Sequence, residues 1–405
     1  MGGSGQRGPS FSRRTGWCRD LGRFGLLSRE ARRGSEALID LTESNPTRCG
    51  LLDTAPLVAS LGDRRGTCYD PAPLGLPEAR AAVARFYRQR GAEISAERVV
   101  LTSSSSESYS WLFKLLCDPG DRVLVPQPSY PLLPYLADLE SVELVSYRLI
   151  RDEGWRIDLE ALRTVVDAHP EARALVAVHP ANPTGSLVRP SEAQALDRLA
   201  RQRGLALIVD EVFIDYPHGA GAPSHLPSFA GQSGEALRFV LSGLSKVALL
   251  PQIKLGWMVI DGPPAVATEA LGRLEVIADS YLSVSTAAQL AAAPILDRVG
   301  ELQDDVRGRL LQNLGAIDSA IAARGPGCPL RRLPSDGGWY SLIEVPRSRS
   351  DDDWVARLVE QAQVLTHPGY LFDIEQAGTM VVSLLLEPAV FELAIGRAVA
   401  CWSEG

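Results

Sequence analysis

The chain has 405 residues, of which 45% are hydrophobic and 22% charged, with 49 acidic against 41 basic side chains. These are globular proportions, and the length allows one large and one smaller domain with ample core. The net charge of −8 argues against a nucleic-acid partner, which needs a basic surface, and no apolar run approaches the roughly 18 residues of a membrane span.

Residues 1 to about 35 show little periodicity and read as a mobile arm or a clasp over a neighbour. They are rich in Gly, Ser and Arg and lack the apolar stretch of a secretory signal. From about 97 to 260, short apolar runs alternate with helical patterns. Strands are expected at Arg98–Thr102, Arg122–Val125, Glu143–Tyr147, Ala174–Val178, Leu205–Val209, Phe239–Ser242 and Leu255–Ile260. Helices are expected at Ser106–Cys117, Ser129–Leu139 and Ser191–Arg203. Near-continuous Val, Leu, Ile and Ala strands between helices imply an α/β domain whose sheet is covered on both faces. Beyond about 286, helical segments at Ala287–Val299, Gly300–Ala323, Asp352–Ala362 and Pro388–Ser403 surround a few strands. The resulting expectation is three regions. Residues 1–60 form an arm and part of a smaller α+β domain, 61–285 form a large domain, and 286–405 complete the smaller one. Six scattered cysteines without CxxC or zinc spacing read as reduced thiols in a cytoplasmic protein with no metal site.

Lysine usage is more informative. Of the 41 basic residues only Lys114, Lys246 and Lys254 are lysines, and the other 38 are arginines. A lysine that survives such a bias calls for a specific explanation. Lys114 has an ordinary one as a surface position of an amphipathic helix. Lys246 closes Val240-Leu-Ser-Gly-Leu-Ser-Lys246, a buried strand followed by a Ser/Gly turn, a setting suited to an imine with an aldehyde cofactor.

In open α/β sheets ligands bind beyond the C-terminal ends of the strands, and other polar residues fall at such ends. Ser103-Ser104-Ser105-Ser106 lies between a strand and a helix, where free backbone N–H groups and the helix dipole suit an anion. A plain serine N-cap explains the same residues. Asp210 ends an apolar strand, where a carboxylate is costly unless it meets a cation such as a protonated pyridine. Asn182 could donate to a ring oxygen, or serve as a turn residue before proline. Tyr130 could stack on a flat ring, or pack in the core.

Taken in order, these pieces resemble the class I/II aminotransferases of pyridoxal-5′-phosphate (PLP) fold type I, the aspartate aminotransferase superfamily. The resemblance runs over nearly the whole chain. It begins with Leu41–Pro46, Tyr69-Asp70-Pro71 and Gly75-Leu76-Pro77, followed by Thr102–Glu107, Asp118-Pro119-Gly120-Asp121 and Pro128–Pro131. Asn182-Pro183-Thr184-Gly185, Asp210-Glu211-Val212-Phe213 and Ser245-Lys246 complete it. It implies a large domain with a mostly parallel seven-stranded sheet between helices, plus a smaller α+β domain. It also implies a homodimer with shared active sites, working on an amino acid and a 2-oxo acid. Lys246 would carry the Schiff base and move protons. Asp210 would meet the ring nitrogen, Asn182 the ring oxygen, and Tyr130 the ring face. Ser105, Ser106, Ser245 and Lys254 would bind the phosphate, with Tyr69 reaching the other subunit's phosphate.

The chain departs from that pattern in several places. Lys254 stands where an arginine is usual, which keeps the charge but loses the bidentate fork. Gly243 replaces a usual serine, leaving Ser242 or Ser245 to serve. Phe213 replaces a tyrosine that donates to the ring oxygen, which should raise the pKa of the lysine imine. Most consequential is Val381, in Thr379-Met-Val-Val-Ser, at the place of the substrate-carboxylate arginine. No arginine lies between Arg357 and Arg397. Asn45 and Arg48, on a segment that borders the site in relatives, are candidate substrate contacts, as are Trp339 and His367. An amino-group transferase is the leading reading. A PLP-dependent lyase or decarboxylase keeps the cofactor with a different outcome. A PLP-sensing regulator would need a DNA-binding domain, of which there is no pattern.

Overall fold

A computed structural model of the protein describes residues 10–34, 37–219, 221–223 and 225–404. The apolar runs pair into one large sheet in the order 99–102, 256–261, 238–243, 206–210, 174–178, 122–127, 143–150 and 156–157. The four neighbour pairs from 238–243 through 143–150 are parallel, while Gly256–Asp261 runs against both of its neighbours. Seven strands are those expected. The eighth, Arg156–Ile157, is a two-residue antiparallel extension of the edge strand Glu143–Ile150. Val99–Thr102, Ala206–Asp210 and Arg238–Gly243 are buried at every residue, as strands covered on both faces must be.

A second sheet of four antiparallel strands follows the order 331–332, 340–344, 379–383, 367–368. Helices Val299–Ala322 and Pro388–Ser403 pack on each other beside it, while Thr286–Leu296 packs on the helix Pro77–Arg88. Ile39–Asp40 pairs with Val364–Leu365, so the segment before residue 41 is tied to the C-terminal part of the chain.

Three local expectations need correction. Residues 10–34 are not a free arm: Arg23–Gly34 is a helix, and the reading of residues 1–9 lies outside the described residues. Phe24 packs on His367 with ring centroids 5.6 Å apart, Arg23 pairs with Asp353, and Trp17 meets Tyr135 edge-on at 5.2 Å. The segment therefore docks on its own chain. Its apolar stripe is only three residues wide among arginines, which hid the period. Second, the helix expected from Ser129 begins at Leu133, because Pro131 holds Tyr130 out of helical conformation. Third, Asp352–Ala362 divides into an α-helix over Asp351–Arg357 and a π-helical turn over Leu358–Ala362.

Two close approaches shape the rim of the large sheet. A Cβ on Gly243 would lie 3.0 Å from Gly256 Cα and 3.2 Å from Leu255 O. One on Gly256 would meet the Ser104 carbonyl carbon at 3.0 Å and Thr102 Oγ1 at 3.1 Å. Two adjacent strands and the serine loop thus sit backbone against backbone, which accounts for glycine at 243.

The loop after Asp210 is anchored by a buried ion pair, Arg90 Nε to Asp215 Oδ1 at 2.9 Å, with the guanidinium 3.6 Å above the Phe86 ring. Arg90→Ala would strip the buried Asp215 carboxylate of its hydrogen-bonded partner, leaving the influence of Arg307 and His225 to offset its burial. It should cost about 3–5 kcal/mol, read as a lowered urea midpoint.

Candidate functional site

Each rim residue owes its place to a strand that ends beneath it. Val99–Thr102 delivers the serine loop, where the Thr102 hydroxyl meets the Ser108 hydroxyl at 2.9 Å and so ties strand to helix. Ser104 caps the helix Ser105–Leu116 by accepting from Glu107 N–H, and Glu107 Oε2 in turn accepts from Ser103 N–H at 2.6 Å. With this reciprocal cap occupied, the amides of Ser105 and Ser106 are left in the first turn, where a helix supplies no acceptor of its own. Serine N-capping and anion binding are therefore not rivals here. The cap uses Ser104, and an anion would be met by the amides of Ser105 and Ser106.

Lys246 follows Arg238–Gly243 on a short helix, Leu244–Val247. Its Nζ lies 4.5 Å from the Trp339 ring centroid and 5.4 Å from that of Phe213. Burial between those rings pushes its pKa down to about 8, against the pull of the Asp210 charge. The Tyr216 hydroxyl donates to the Lys246 carbonyl, fixing the backbone beneath the amine. The other two lysines are accounted for separately. Lys114 is paired with Glu140, and its ammonium is 5.4 Å from the Tyr281 ring centroid.

Asp210 is the last residue of the neighbouring strand and is only 7% exposed. Burial pushes its pKa up to about 6, opposed by the Val212 amide, the Tyr109 hydroxyl and the Lys246 charge. Val212 N–H donates to Oδ1 at 3.1 Å and Tyr109 to Oδ2 at 3.2 Å. Tyr109 was not legible beforehand, because nothing in a helical tyrosine signals a partner 101 residues away. Glu211 was also passed over. Its buried carboxyl, raised to about 8 by desolvation, accepts from Ser228 Oγ and Phe229 N–H, each at 2.6 Å.

Asn182 sits on the loop after Ala174–Val178, and its Oδ1 is buried without a hydrogen-bond partner. His179 steadies that loop: Nδ1 accepts from Val188 N–H at 3.1 Å, and burial holds its pKa down at about 4, so the ring is neutral. Tyr130, after Arg122–Gln127, is half-buried, and burial with the nearby Asp210 charge raises its phenol to about 12. Trp339 is fully buried, edge-on to Phe213 and Tyr216 at 5.4 and 5.2 Å, and its Nε1 has no partner. The amides of Asp336 and Gly337 donate to Gly185 O, and that of Gly338 to Tyr216 O, which pins Trp339 between the Asn182 loop and the Phe213 loop. Ser242 Oγ is likewise buried and unpartnered, and Ser245 is half-buried.

The remaining candidates stand further out. Lys254 is exposed, in a left-handed conformation (φ 61°) two residues before Gly256, at the edge of the serine loop. Tyr69 is 71% exposed beside a hollow walled by Leu282 and Ser283, and Ser283 donates to Glu107 of the serine loop. The segment carrying Asn45 and Arg48 is fixed by Arg309, which donates to the carbonyls of Cys49, Gly50 and Leu385. Asn45 caps its own turn by accepting from Thr47 N–H. Arg48 is 74% exposed, and its ion pair with Glu43 is stretched to 4.0 Å. Ser44 shares a hydrogen bond with Tyr340, whose phenol is felt at Tyr130, so this segment borders the same space. Val381 is fully buried, paired with Leu342 and His367. His367 is packed between Phe24 and Phe372 and held neutral, with a pKa near 4, by burial.

Comparison with known proteins agrees with this geometry. The family profile described as aminotransferase class I and II matches residues 53–385. Human tyrosine aminotransferase is 26% identical over 362 residues, covering 86% of this chain and 78% of that protein. Glutamate-pyruvate aminotransferase AlaA of Escherichia coli K12 is 29% identical over 373 residues, 88% of each. In fold, alanine aminotransferase from Pyrococcus furiosus superposes with a TM-score of 0.87 at 24% identity, over 98% of this chain and 100% of that one. A single mutant of Thermus thermophilus aspartate aminotransferase gives 0.83 at 22%, over 97% and 100%. The chain belongs to the class I and II aminotransferase family and is an enzyme of amino-group transfer. No described helix is long and apolar enough to cross a membrane.

With a pKa of about 8, roughly one-tenth of the Lys246 amine is neutral at pH 7, against well under one-thousandth for an ordinary lysine. Labelling of Lys246 by fluorodinitrobenzene should therefore rise through pH 8. In Asp210→Asn, which removes the charge that favours the ammonium, the midpoint should move lower still.

Proposed function

We propose that this aminotransferase holds pyridoxal 5′-phosphate at the sheet rim and moves an amino group from an amino acid to a 2-oxo acid, with Lys246 as its covalent anchor. The observation that carries this reading is the placement of Lys246 and Asp210. Asp210, buried, and Lys246, half-buried, carry opposite charges at the ends of neighbouring strands, each with its pKa displaced by desolvation. The orphaned atoms fit the cofactor. Turning over the Asn182 amide would put its Nδ2 donor in place of the unbonded Oδ1, for a ring oxygen, and Ser242 carries an unbonded hydroxyl; Asp210, already bonded, presents a carboxylate for a ring nitrogen. The Ser105 and Ser106 amides, with Ser245 and Lys254, would take the phosphate, and Tyr130 would cover the ring.

When bound, the cofactor supplies an electron sink that makes the proton on the substrate α-carbon removable. The chain's own groups do the rest. Asp210 stays ionised and holds a positive charge at the ring nitrogen. The Lys246 ε-nitrogen, poised by burial, moves the proton at the substrate α-carbon. Trp339 and Phe213 wall that nitrogen from water. The relatives named for tyrosine and for glutamate and pyruvate support an amino acid and an oxo acid as the exchanged pair.

The carboxylate contact is assigned to Arg48. Val381 and its neutral neighbour His367 offer no charge, whereas Arg48 is exposed and loosely paired on the segment bonded to Tyr340. We further read the chain as a cytoplasmic homodimer in which Tyr69, 71% exposed, reaches the phosphate of a second copy. The described cysteines are all free, which suits a reducing compartment. Residues 61–285 form the cofactor-bearing domain in this reading, with 1–60 and 286–405 around the second sheet.

Borohydride reduction of the cofactor-loaded protein should place a pyridoxyl group on the peptide bearing Lys246 and not on those of Lys114 or Lys254. An amino-acid panel should bleach the cofactor absorbance and release the matching oxo acid. Release of carbon dioxide or of a β-substituent without that bleach would replace transfer by decarboxylation or elimination. Arg48→Ala should raise the amino-acid KM tenfold or more with kcat less affected. An unchanged KM would remove Arg48 from the site.

A further inference from the structure

We propose that Tyr109 is a positioning residue whose hydroxyl, donated to Asp210 Oδ2 at 3.2 Å, keeps that carboxylate ionised and aimed at the ring nitrogen of the cofactor. This rests on the cofactor reading above and deepens it.

The geometry supporting Tyr109 is local and independent of any ligand. The residue lies one turn into the helix Ser105–Leu116, whose start is locked by the Thr102–Ser108 hydroxyl contact and by the cap between Ser104 and Glu107. Its ring is 3% exposed and packs on Phe113 at a centroid distance of 6.0 Å. The hydroxyl position is therefore set by the same helix that presents the serine loop. A single helix thus offers its N-terminal amides to one end of a ligand and a buried phenol to the carboxylate at the other. Because Val212 N–H takes Oδ1 and Tyr109 takes Oδ2, neither oxygen can swing away.

The donor is needed because the surroundings oppose the charge. Burial is the largest influence on Asp210 and favours its protonated form. The ionisable groups facing it are Lys246 from the strand-end turn, Tyr109 from the helix, Tyr130 from the loop after Gln127, and Glu211 beside it in sequence. Lys246 acts on Asp210 through its charge alone and donates no hydrogen bond to it. Tyr109 and the Val212 amide then remain as the donors that stabilise the carboxylate. A protonated Asp210 could not hold a positive ring nitrogen. The phenol itself is a safe donor, since burial and the adjacent carboxylate keep it protonated far above the ordinary tyrosine range.

The test compares binding of pyridoxal phosphate with that of 1-deazapyridoxal phosphate, in which C–H replaces the ring nitrogen, measured by equilibrium dialysis across pH. In Tyr109→Phe, affinity for pyridoxal phosphate should fall about tenfold. Affinity for the deaza compound should stay within twofold of the native value. The acid limb of pyridoxal phosphate binding should shift to higher pH, because a less stabilised carboxylate protonates earlier. Site-specific 3-fluorotyrosine at 109 keeps the shape and strengthens the donor, so its acid limb should shift to lower pH; this variant decides the matter if the phenylalanine variant melts. Equal losses for both compounds, or unchanged acid limbs in both variants, would overturn the role of Tyr109 while leaving the cofactor reading intact. A native chain that binds neither compound would overturn both.

Discussion

Asp210 and Lys246 are opposite charges held at the ends of adjacent parallel strands, in surroundings that disfavour both. Much of the nearby architecture serves to keep them there. Charged groups in poorly solvated positions persist only when neighbours pair with them or bond to them, and otherwise they neutralise or swing into water. Here the supports come from distant parts of the chain. Tyr109 and Val212 hold the carboxylate, Tyr216 holds the lysine backbone, and Trp339 and Phe213 close over the amine. The displaced pKa values, about 6 for the acid and about 8 for the amine, lie close to the range in which protons are exchanged.

Backbone proximity is the second constraint. Gly243 and Gly256 face each other across adjacent strands, and Gly256 abuts Ser104. The lysine turn, the start of the strand after Lys254 and the serine loop are therefore one packed unit rather than three separate loops. That explains why a serine usual in the family is missing at 243 without loss of the loop: the missing hydroxyl is traded for contact, and Ser242 remains buried and unbonded nearby. It also gives Lys254 its setting, in a left-handed turn leading into that contact.

The side of the site formed by the second sheet differs in character. Trp339, Tyr340, Phe372, His367 and Val381 present aromatic or neutral groups, and His367 is kept uncharged by burial between Phe24 and Phe372. A carboxylate placed there would meet no compensating charge. Of the described cations nearby, Arg32 is already engaged by Asp40 and Thr42 and Arg309 by backbone carbonyls, whereas Arg48 is loosely paired and exposed. In the proposed reading, recognition of the substrate's acid group shifts from a buried strand to a surface turn, where water competes more and the grip is weaker.

How much of this was readable in advance follows from the range of the physics involved. Periodicity and apolar runs act over a few residues, so Ala174–Val178 and Pro388–Ser403 were placed as observed, and the ends of five strands pointed to one rim. The scarcity of lysine singled out Lys246, and a buried carboxylate at the end of an apolar strand singled out Asp210. Composition alone could not show that residues 23–34 form a helix, because its narrow apolar stripe has meaning only once Phe24 meets His367 across the fold. Nor could it show Tyr109 beneath Asp210, the Arg309 clamp on the Cys49 turn, or Gly243 forced by Gly256, since each depends on contacts between segments far apart in the chain. The sequence by itself determined which chemistry the rim can hold, because that depends on residue types at strand ends. Only the tertiary structure decided how those groups are tuned, because burial and hydrogen bonding are properties of the packed whole.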